Sequence, residues 1–264
     1  MFKVDKYPHG LFSWADGSST DAAKSKAFYT TLMGWTFDDI PMGDGQFYTM
    51  FKYDGEYICG IAQMQAEMQA QGIPSHWSSY VNVDDADAIA SKVTGLGGTV
   101  LVEPMDVFES GRMAFLQDPT GAQVGLWQPK QHKGAGLVNT PGAMTWNELT
   151  TTDVPAAKDF YAGLFGWTYD KMPDMEYYVV MNGKRPNGGI MPTPEAMAGM
   201  PPVWTVYFSV ADIEKTVKTA KSAGGKVMGG VMDAGDIGRM AVITDPTGMA
   251  AMFMQSKNPQ PWDG

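Results

Sequence analysis

The chain has 264 residues, 44% of them apolar and 12% aromatic, enough for two domains of about 130 residues with real hydrophobic cores. Nineteen basic and 29 acidic residues give a net charge of −10, which argues against a nucleic-acid partner because such a surface repels phosphate backbones. The single cysteine excludes an internal disulfide framework and any metal site of several cysteines. Without a long apolar run or a signal-peptide segment, the sequence predicts a cytoplasmic protein with no membrane partner.

The first elements of the chain are predicted to be a strand, a helix and a pair of strands. A short strand at Phe12–Ala15 precedes a helix, which Thr20 or Asp21 caps at its start and Gly34 ends. Two stretches rich in aromatic and β-branched residues then predict strands joined by a Tyr-Asp-Gly turn, at Gln46–Lys52 and Glu56–Gln63.

A second series of elements follows in the same half of the chain. Trp77–Val83 is predicted to be a strand, and a helix is predicted from Asp84 to Leu96, where two glycines end it. The Asp-Pro-Thr-Gly run at residues 118–121 has proline at the second and glycine at the fourth turn position, so it should close a hairpin. These elements predict the order β-α-β-β-β twice in this half.

The two halves of the chain are copies of each other. Residues 21–29 (DAAKSKAFY) match residues 153–161 (DVPAAKDFY) at an offset of 132, and residues 111–128 match 238–255 at an offset of 127, with nine of 18 positions identical. A polar segment rich in glycine and proline separates the copies. We therefore predict a first domain at residues 1–130, a linker at 131–142 and a second domain at 143–264. They should pack as an intramolecular pseudo-dimer, in a monomer or a homodimer.

The helix motif ending in Phe-Tyr, the Leu-x-Gly-Trp after it and the Asp-Pro-x-Gly hairpin together resemble the vicinal oxygen chelate superfamily of glyoxalase I, bleomycin-resistance proteins and extradiol dioxygenases. The resemblance covers about residues 8–128 and 140–256 and is closest to two-domain glyoxalase-like proteins. It implies an α+β fold of tandem glyoxalase/bleomycin-resistance domains, with four βαβββ modules forming curved mixed sheets and the helices outside. It implies no single activity, since the superfamily contains isomerases, lyases, dioxygenases, transferases and drug binders.

Catalytic members of that superfamily hold a divalent metal with His, Glu or Gln on inward-facing strand positions. The resemblance carries six of these positions onto residues that are not ordinary ligands of such a metal: Trp14, Ser78, Gly125, Trp146, Thr205 and Met252. A remaining position lies on the strand that ends near Gln63, which alone would not hold a metal. We therefore expect no metal cofactor and no ordinary glyoxalase I activity.

Strand alternation predicts what lines the concave face instead. Asp16 shares a face with Trp14, and Glu148 shares one with Trp146, at the same offset of 132. We predict a small-molecule pocket in which Asp16 and Glu148 are acid/base groups or polar anchors, with ligand-binding residues Trp14, Ser78, Trp127, Trp146, Thr205 and Met252. The alternative is that the tryptophans are core residues and the two acids bond backbone at strand ends.

Other reactive side chains are expected to be structural. Cys59 lies in an apolar strand and should be an inert buried thiol. Arg112 and Arg239, at equivalent positions of the repeat, could bind a ligand carboxylate or phosphate, or pair with a local acid. The three histidines are most simply surface or strand-edge residues: His9, His76 and His132.

Two functions from different classes remain open. The first is a metal-independent protein that binds a small, partly apolar molecule on a glyoxalase/bleomycin-resistance scaffold. The second is an enzyme, either a lyase or isomerase that acts on an aldehyde or a thiol adduct, or one with a dioxygenase-related activity. The absence of ordinary metal ligands favours the first function, whereas the repeated carboxylates favour the second.

Overall fold

The computed structural model describes residues 2–259, in which the two halves of the chain form two mixed β-sheets. In chain order the first half contains β1 (Phe2–Lys3), β2 (Phe12–Ser19), α1 (Ala22–Met33), β3 (Thr36–Gly43), β4 (Gln46–Tyr53), β5 (Glu56–Gln63), α2 (Ala66–Ala70), β6 (His76–Asn82), α3 (Ala86–Val93), β7 (Thr99–Val107), β8 (Gly111–Gln117) and β9 (Gln123–Pro129). The second half contains β10 (Leu137–Val138), β11 (Met144–Thr151), α4 (Val154–Phe165), β12 (Thr168–Lys171), β13 (Tyr178–Asn182), β14 (Arg185–Pro192), β15 (Val203–Ser209), α5 (Ile213–Ser222), β16 (Lys226–Asp233), β17 (Gly238–Thr244) and β18 (Ala250–Ser256).

The two sheets have the same strand order. The first is β3-β4-β5-β2-β6-β9-β8-β7, and the second is β12-β13-β14-β11-β15-β18-β17-β16, with the short strands β1 and β10 added beside β11. Each sheet joins two βαβββ modules through an antiparallel pair at its centre, which is β2–β6 in the first sheet and β11–β15 in the second. The predicted α+β fold of four modules is confirmed.

The helices cover one face of each sheet, and these two faces share a single hydrophobic core. The Phe28 ring of α1 packs on Gly225, and the Phe160 ring of α4 packs in the equivalent way on Gly98, so each helix reaches the other repeat. Trp35 also contacts Phe208 across the repeats, with ring centroids 5.3 Å apart. Residues on the opposite, concave faces form two separate clusters, one per sheet. The concave faces therefore remain apart from the core.

Several element bounds differ from those predicted. β2 continues to Ser19 instead of ending at Ala15, and α3 is capped by Asp85, whose side chain accepts a hydrogen bond from the Ala88 amide at 2.9 Å. β3 was not predicted from the sequence, because it is a mostly exposed edge strand that contains a proline. Both Asp-Pro-Thr-Gly hairpins form, between β8 and β9 and between β17 and β18. No helix within residues 2–259 is both long and apolar enough to cross a bilayer.

Candidate functional site

The first concave face is organised around Asp16 of β2. Its backbone lies beside Gly60 of β5 and Ser78 of β6, while Trp14, two residues earlier, pairs with Tyr80. The Trp14 indole Nε1 donates a hydrogen bond of 3.0 Å to the hydroxyl of Tyr48, on β4. Asp16 is half-buried, and its Oδ1 atom is buried with no hydrogen-bond partner among the described residues. This oxygen therefore lacks the hydrogen bond that a buried polar atom normally has.

The second concave face repeats this arrangement around Glu148 of β11. Glu148 lies beside Gly189 and Thr205, and its Oε1 accepts a hydrogen bond of 2.6 Å from the Tyr207 hydroxyl. The Trp146 indole Nε1 donates to the Tyr177 hydroxyl at 2.9 Å. Each repeat therefore places one carboxyl group among one tryptophan and two tyrosines.

Burial shifts the proton equilibria of both carboxyl groups. It raises the pKa of Asp16 from 3.8 to about 7, although the hydroxyls of Tyr48 and Tyr80 act in the opposite direction. Burial also raises the pKa of Glu148 above its usual value, opposed by hydrogen bonds from Tyr207 and Tyr177. A carboxyl group with a pKa near neutrality can accept or donate a proton at physiological pH. Asp16 has the chemistry of a general acid/base.

The structure distributes the predicted site residues over the two concave faces, four on each. Trp14, Asp16, Ser78 and Trp127 belong to the first face, where Trp14 and Trp127 share one cluster with Tyr80. Trp146, Glu148, Thr205 and Met252 belong to the second, where Met252 clusters with Tyr207 and Trp146 packs against them. Methionine rather than tryptophan lines much of the second face: Met240, Met252 and Met254. The faces therefore share a polar centre and differ in their walls.

The four tyrosines around the two carboxyl groups were not predicted from the sequence. Tyr80 and Tyr207 lie two residues after Ser78 and Thr205, at the same offset of 127, so strand alternation could have placed them on the concave face. Tyr48 and Tyr177 are offset by 129, because the loops before them differ in length. No local pattern connects these two tyrosines to the site.

The expected surface position of His132 is wrong. Its ring lies edge-on to Trp14 with centroids 4.4 Å apart and to Trp127 at 5.5 Å, so it belongs to the first concave face. No sequence pattern indicates this contact, because His132 lies in the segment between the repeats.

The remaining reactive side chains have structural partners or lie in the core. Arg112 forms a two-point ion pair with Asp87, at 2.7 and 2.8 Å, and a contact of 3.3 Å with Asp106. In the second repeat, Arg239 forms an ion pair with Glu214. Cys59 is fully buried, and burial raises the pKa of its thiol. Pairing with local acids, one of the two possibilities for the arginines, is the arrangement observed.

The residues on the two concave faces do not fit a divalent-metal site of the kind that the superfamily uses. The positions that pair with Asp16 and Glu148 on the neighbouring strands carry glycine, serine or threonine. Over residues 2–259, no three side chains of His, Cys, Asp or Glu are grouped so that they could hold a metal ion. One carboxylate and weak hydroxyl donors do not make a catalytic coordination sphere.

Comparisons with known proteins agree with this fold. The chain is 41% identical over 252 residues to "Putative glyoxylase CFP32" from Mycobacterium tuberculosis, covering 94% of this chain and 95% of that protein. It is 32% identical over 273 residues to the anthracycline biosynthesis protein DnrV from Streptomyces peucetius, covering 98% of both. Among solved structures, the Mn(II)-bound glyoxalase from Novosphingobium aromaticivorans has a TM-score of 0.64 at 14% identity, over 99% of this chain and 87% of that one.

The 2,3-dioxygenase LapB from Pseudomonas sp. KL28 also has a TM-score of 0.64, at 13% identity over 96% of this chain and 98% of that one. At such identities the structural likeness shows the fold alone. A family model matches each repeat separately, over residues 18–126 and 140–253. The chain therefore belongs to the Glyoxalase/Bleomycin resistance protein/Dioxygenase superfamily.

Proposed function

We propose that this protein is a cytoplasmic, metal-independent binder of small, partly apolar molecules, which it holds in the concave faces of its two sheets. The observation that carries the proposal is Asp16, whose unpartnered Oδ1 is buried on a face of tryptophan and tyrosine side chains. A buried polar atom without a partner costs about 1–3 kcal/mol, and a ligand that bonds to it recovers that cost. Glu148 supplies the equivalent polar centre of the second face.

The walls of the first face favour a ligand with an aromatic ring. Trp14, Tyr80 and Trp127 form its buried cluster, and Phe115 packs against them. Aromatic rings gain about 0.5–1.5 kcal/mol from tilted or offset ring contacts beyond the area they bury. A relative that covers nearly the whole chain is named for anthracycline biosynthesis, and anthracyclines contain a planar hydroxylated ring system. A hydroxylated aromatic molecule therefore matches both the walls and the carboxyl group.

Calorimetric titration with 2-naphthol, an aromatic molecule with one hydroxyl group, tests the proposal. We expect two binding events, of which Asp16→Asn weakens one and Glu148→Gln weakens the other by about 3- to 10-fold, the value of one hydrogen bond. Glu67→Gln, a change at an exposed carboxylate, is the matched control and should leave both events unchanged. Failure of 2-naphthol to bind, or equal binding by all three variants, would contradict the proposal.

A glyoxalase-type lyase or isomerase is the second candidate, and one observation favours it. Asp16 combines a pKa of about 7 with a buried, unpartnered oxygen, and a base that removes a proton beside a carbonyl group requires a pKa near the working pH. An absorbance assay with the hemithioacetal of methylglyoxal and glutathione, in chelator-treated protein, tests this reading. Turnover that Asp16→Asn abolishes would favour the enzyme, whereas binding of 2-naphthol without turnover would favour the binder.

A further inference from the structure

The segment between the two repeats forms part of the first concave face. His132, in this segment, lies edge-on to both Trp14 and Trp127. The Trp127 indole Nε1 donates a hydrogen bond of 2.8 Å to the His132 carbonyl oxygen, which fixes the backbone next to the ring. The ring is therefore held against the same tryptophans that line the proposed ligand site.

Further hydrogen bonds anchor this segment to the first repeat. The Ala135 amide donates to the Ser13 carbonyl at 2.8 Å, and the Tyr7 hydroxyl donates to the Ala135 carbonyl at 2.7 Å. The Gly136 amide donates to the Tyr57 carbonyl at 2.7 Å. These bonds fix the segment that follows His132 to the first repeat, so the position of the ring is determined by the fold.

Two buried polar atoms on this face have no hydrogen-bond partner among the described residues, Asp16 Oδ1 and His132 Nε2. The His132 ring lies edge-on to the Trp14 ring, whereas Asp16 follows Trp14 by two residues along β2. Buried polar side-chain atoms are almost always hydrogen-bonded, to protein, water or ligand. Two buried polar atoms that lack hydrogen bonds on one largely apolar face indicate a ligand with two polar groups, one for each atom.

We infer that His132 is the second polar anchor of the first concave face, so that this site selects an aromatic molecule with two separated hydroxyl groups. The inference rests on the proposed function and deepens it. Burial lowers the pKa of His132 to about 4, so the imidazole is neutral at pH 7. A ligand hydroxyl satisfies Nε2 in either tautomer of a neutral imidazole, because a hydroxyl both donates and accepts.

The second concave face provides an internal comparison. At the offset of 127 the position equivalent to His132 is Pro259, which has no side-chain polar atom. Glu148 is also already bonded to Tyr207. The second site should therefore distinguish poorly between ligands with one and with two hydroxyl groups. The two sites of one chain would then differ in specificity because only the first is completed by the segment between the repeats.

The test compares naphthalene-2,6-diol with 2-naphthol, which differ by one hydroxyl group at the far end of the same rings. We expect the first site to bind the diol about 3- to 10-fold more tightly, the value of one added hydrogen bond. His132→Phe keeps an aromatic ring against both tryptophans and should remove this preference, so that the first site binds the two probes with similar affinity. His9→Phe, at a histidine whose ring contacts Phe165 of the shared core instead of the concave face, is the matched control and should keep the preference.

A second measurement uses the unmodified protein, so it can test the inference even if the His132→Phe variant does not fold. The chain has three histidines, so labelling with ¹⁵N-histidine gives a simple imidazole spectrum. We expect the diol to shift the Nε2 resonance of His132 and 2-naphthol to leave it unchanged.

The possible failures can be told apart. If both probes bind but their affinity ratio is the same in His132→Phe, or the Nε2 resonance does not respond to the diol, His132 is only a packing residue. If neither probe binds to the unmodified protein, the proposed function fails and the inference fails with it.

Discussion

Asp118, in the hairpin of the first repeat, accepts a hydrogen bond of 3.0 Å from the hydroxyl of Tyr161, in the first helix of the second repeat. The equivalent hairpin residue, Asp245, accepts a bond of 2.5 Å from Ser25 of α1, so the contact is reciprocal. The other oxygen of each aspartate accepts bonds from the threonine of its own turn and from a backbone amide. Each Asp-Pro-Thr-Gly turn therefore joins the two repeats as well as closing a hairpin.

We expect Tyr161→Phe to lower the free energy of unfolding by about 1–3 kcal/mol, because it leaves buried polar groups without a partner. The Tyr161 hydroxyl both donates to Asp118 and accepts from the Trp204 indole at 2.8 Å. Urea unfolding followed by circular dichroism measures the change. Tyr178→Phe, which removes a hydroxyl that donates to the exposed Glu176, should change stability by less than about 0.5 kcal/mol. Equal effects of the two substitutions would show that the bond between the repeats contributes little.

Gly60→Ala and Gly189→Ala should weaken binding of 2-naphthol at their own sites and destabilise the protein by about 1–3 kcal/mol. A methyl group at Gly60 would overlap the Tyr48 hydroxyl, and one at Gly189 would overlap the Tyr177 hydroxyl. Each tyrosine would have to move away from its carboxyl group. Gly95→Ala, where the added methyl group meets no atom, is the control. Thermal unfolding and calorimetric titration provide the measurements, and unchanged binding by both site variants would show that the tyrosine positions do not matter.

Stability should fall as the pH rises, because of Asp16. Its pKa is about 7 in the folded protein, against 3.8 for an unperturbed aspartate, so the folded state binds the proton more tightly. The resulting stabilisation is complete below about pH 4 and is lost as the pH rises through 7. Asp16→Asn has no carboxyl group at this position, so its stability does not depend on this proton. The unfolding free energy of the unmodified protein minus that of the variant should therefore decrease by on the order of 2–4 kcal/mol between pH 4 and pH 8.

Urea unfolding of both proteins at a series of pH values measures this difference. Asp84→Asn, at a largely exposed carboxylate, should follow the unmodified protein at every pH. A difference that stays constant between pH 4 and pH 8 would mean that Asp16 has an ordinary pKa.

Removal of divalent metal should leave ligand binding intact. Asp16 and Glu148 have glycine, serine or threonine beside them on the neighbouring strands, so we expect neither stoichiometric zinc, nickel, iron nor manganese in the purified protein. Elemental analysis gives the metal content, and titration with 2-naphthol before and after dialysis against EDTA gives the affinity. Near-unity metal content that EDTA removes together with binding would overturn the expectation.

Local patterns in the sequence were enough to predict much of the fold. Strand β5 at Glu56–Gln63, the Asp21 cap of α1, the Gly34 end of that helix and both Asp-Pro-Thr-Gly hairpins were predicted from residues close in the chain. Such signals are local because a cap or a turn is formed by groups within four residues of each other. The edge strand β3 was not located, since its composition is determined by exposure rather than by burial.

The sequence by itself determined the duplication, the four modules and the alternation that puts Trp14 with Asp16 and Trp146 with Glu148, because these depend on spacing along one strand or between copies. Only the tertiary structure decided that Tyr48 approaches Asp16 over Gly60, and that His132 of the intervening segment lies against Trp14. Those contacts join residues from separate strands and loops. The strand register and the loop path that bring these residues together produce no periodic pattern in the sequence. The same is true of the pKa of Asp16, which depends on how deeply the assembled sheet buries its carboxyl group.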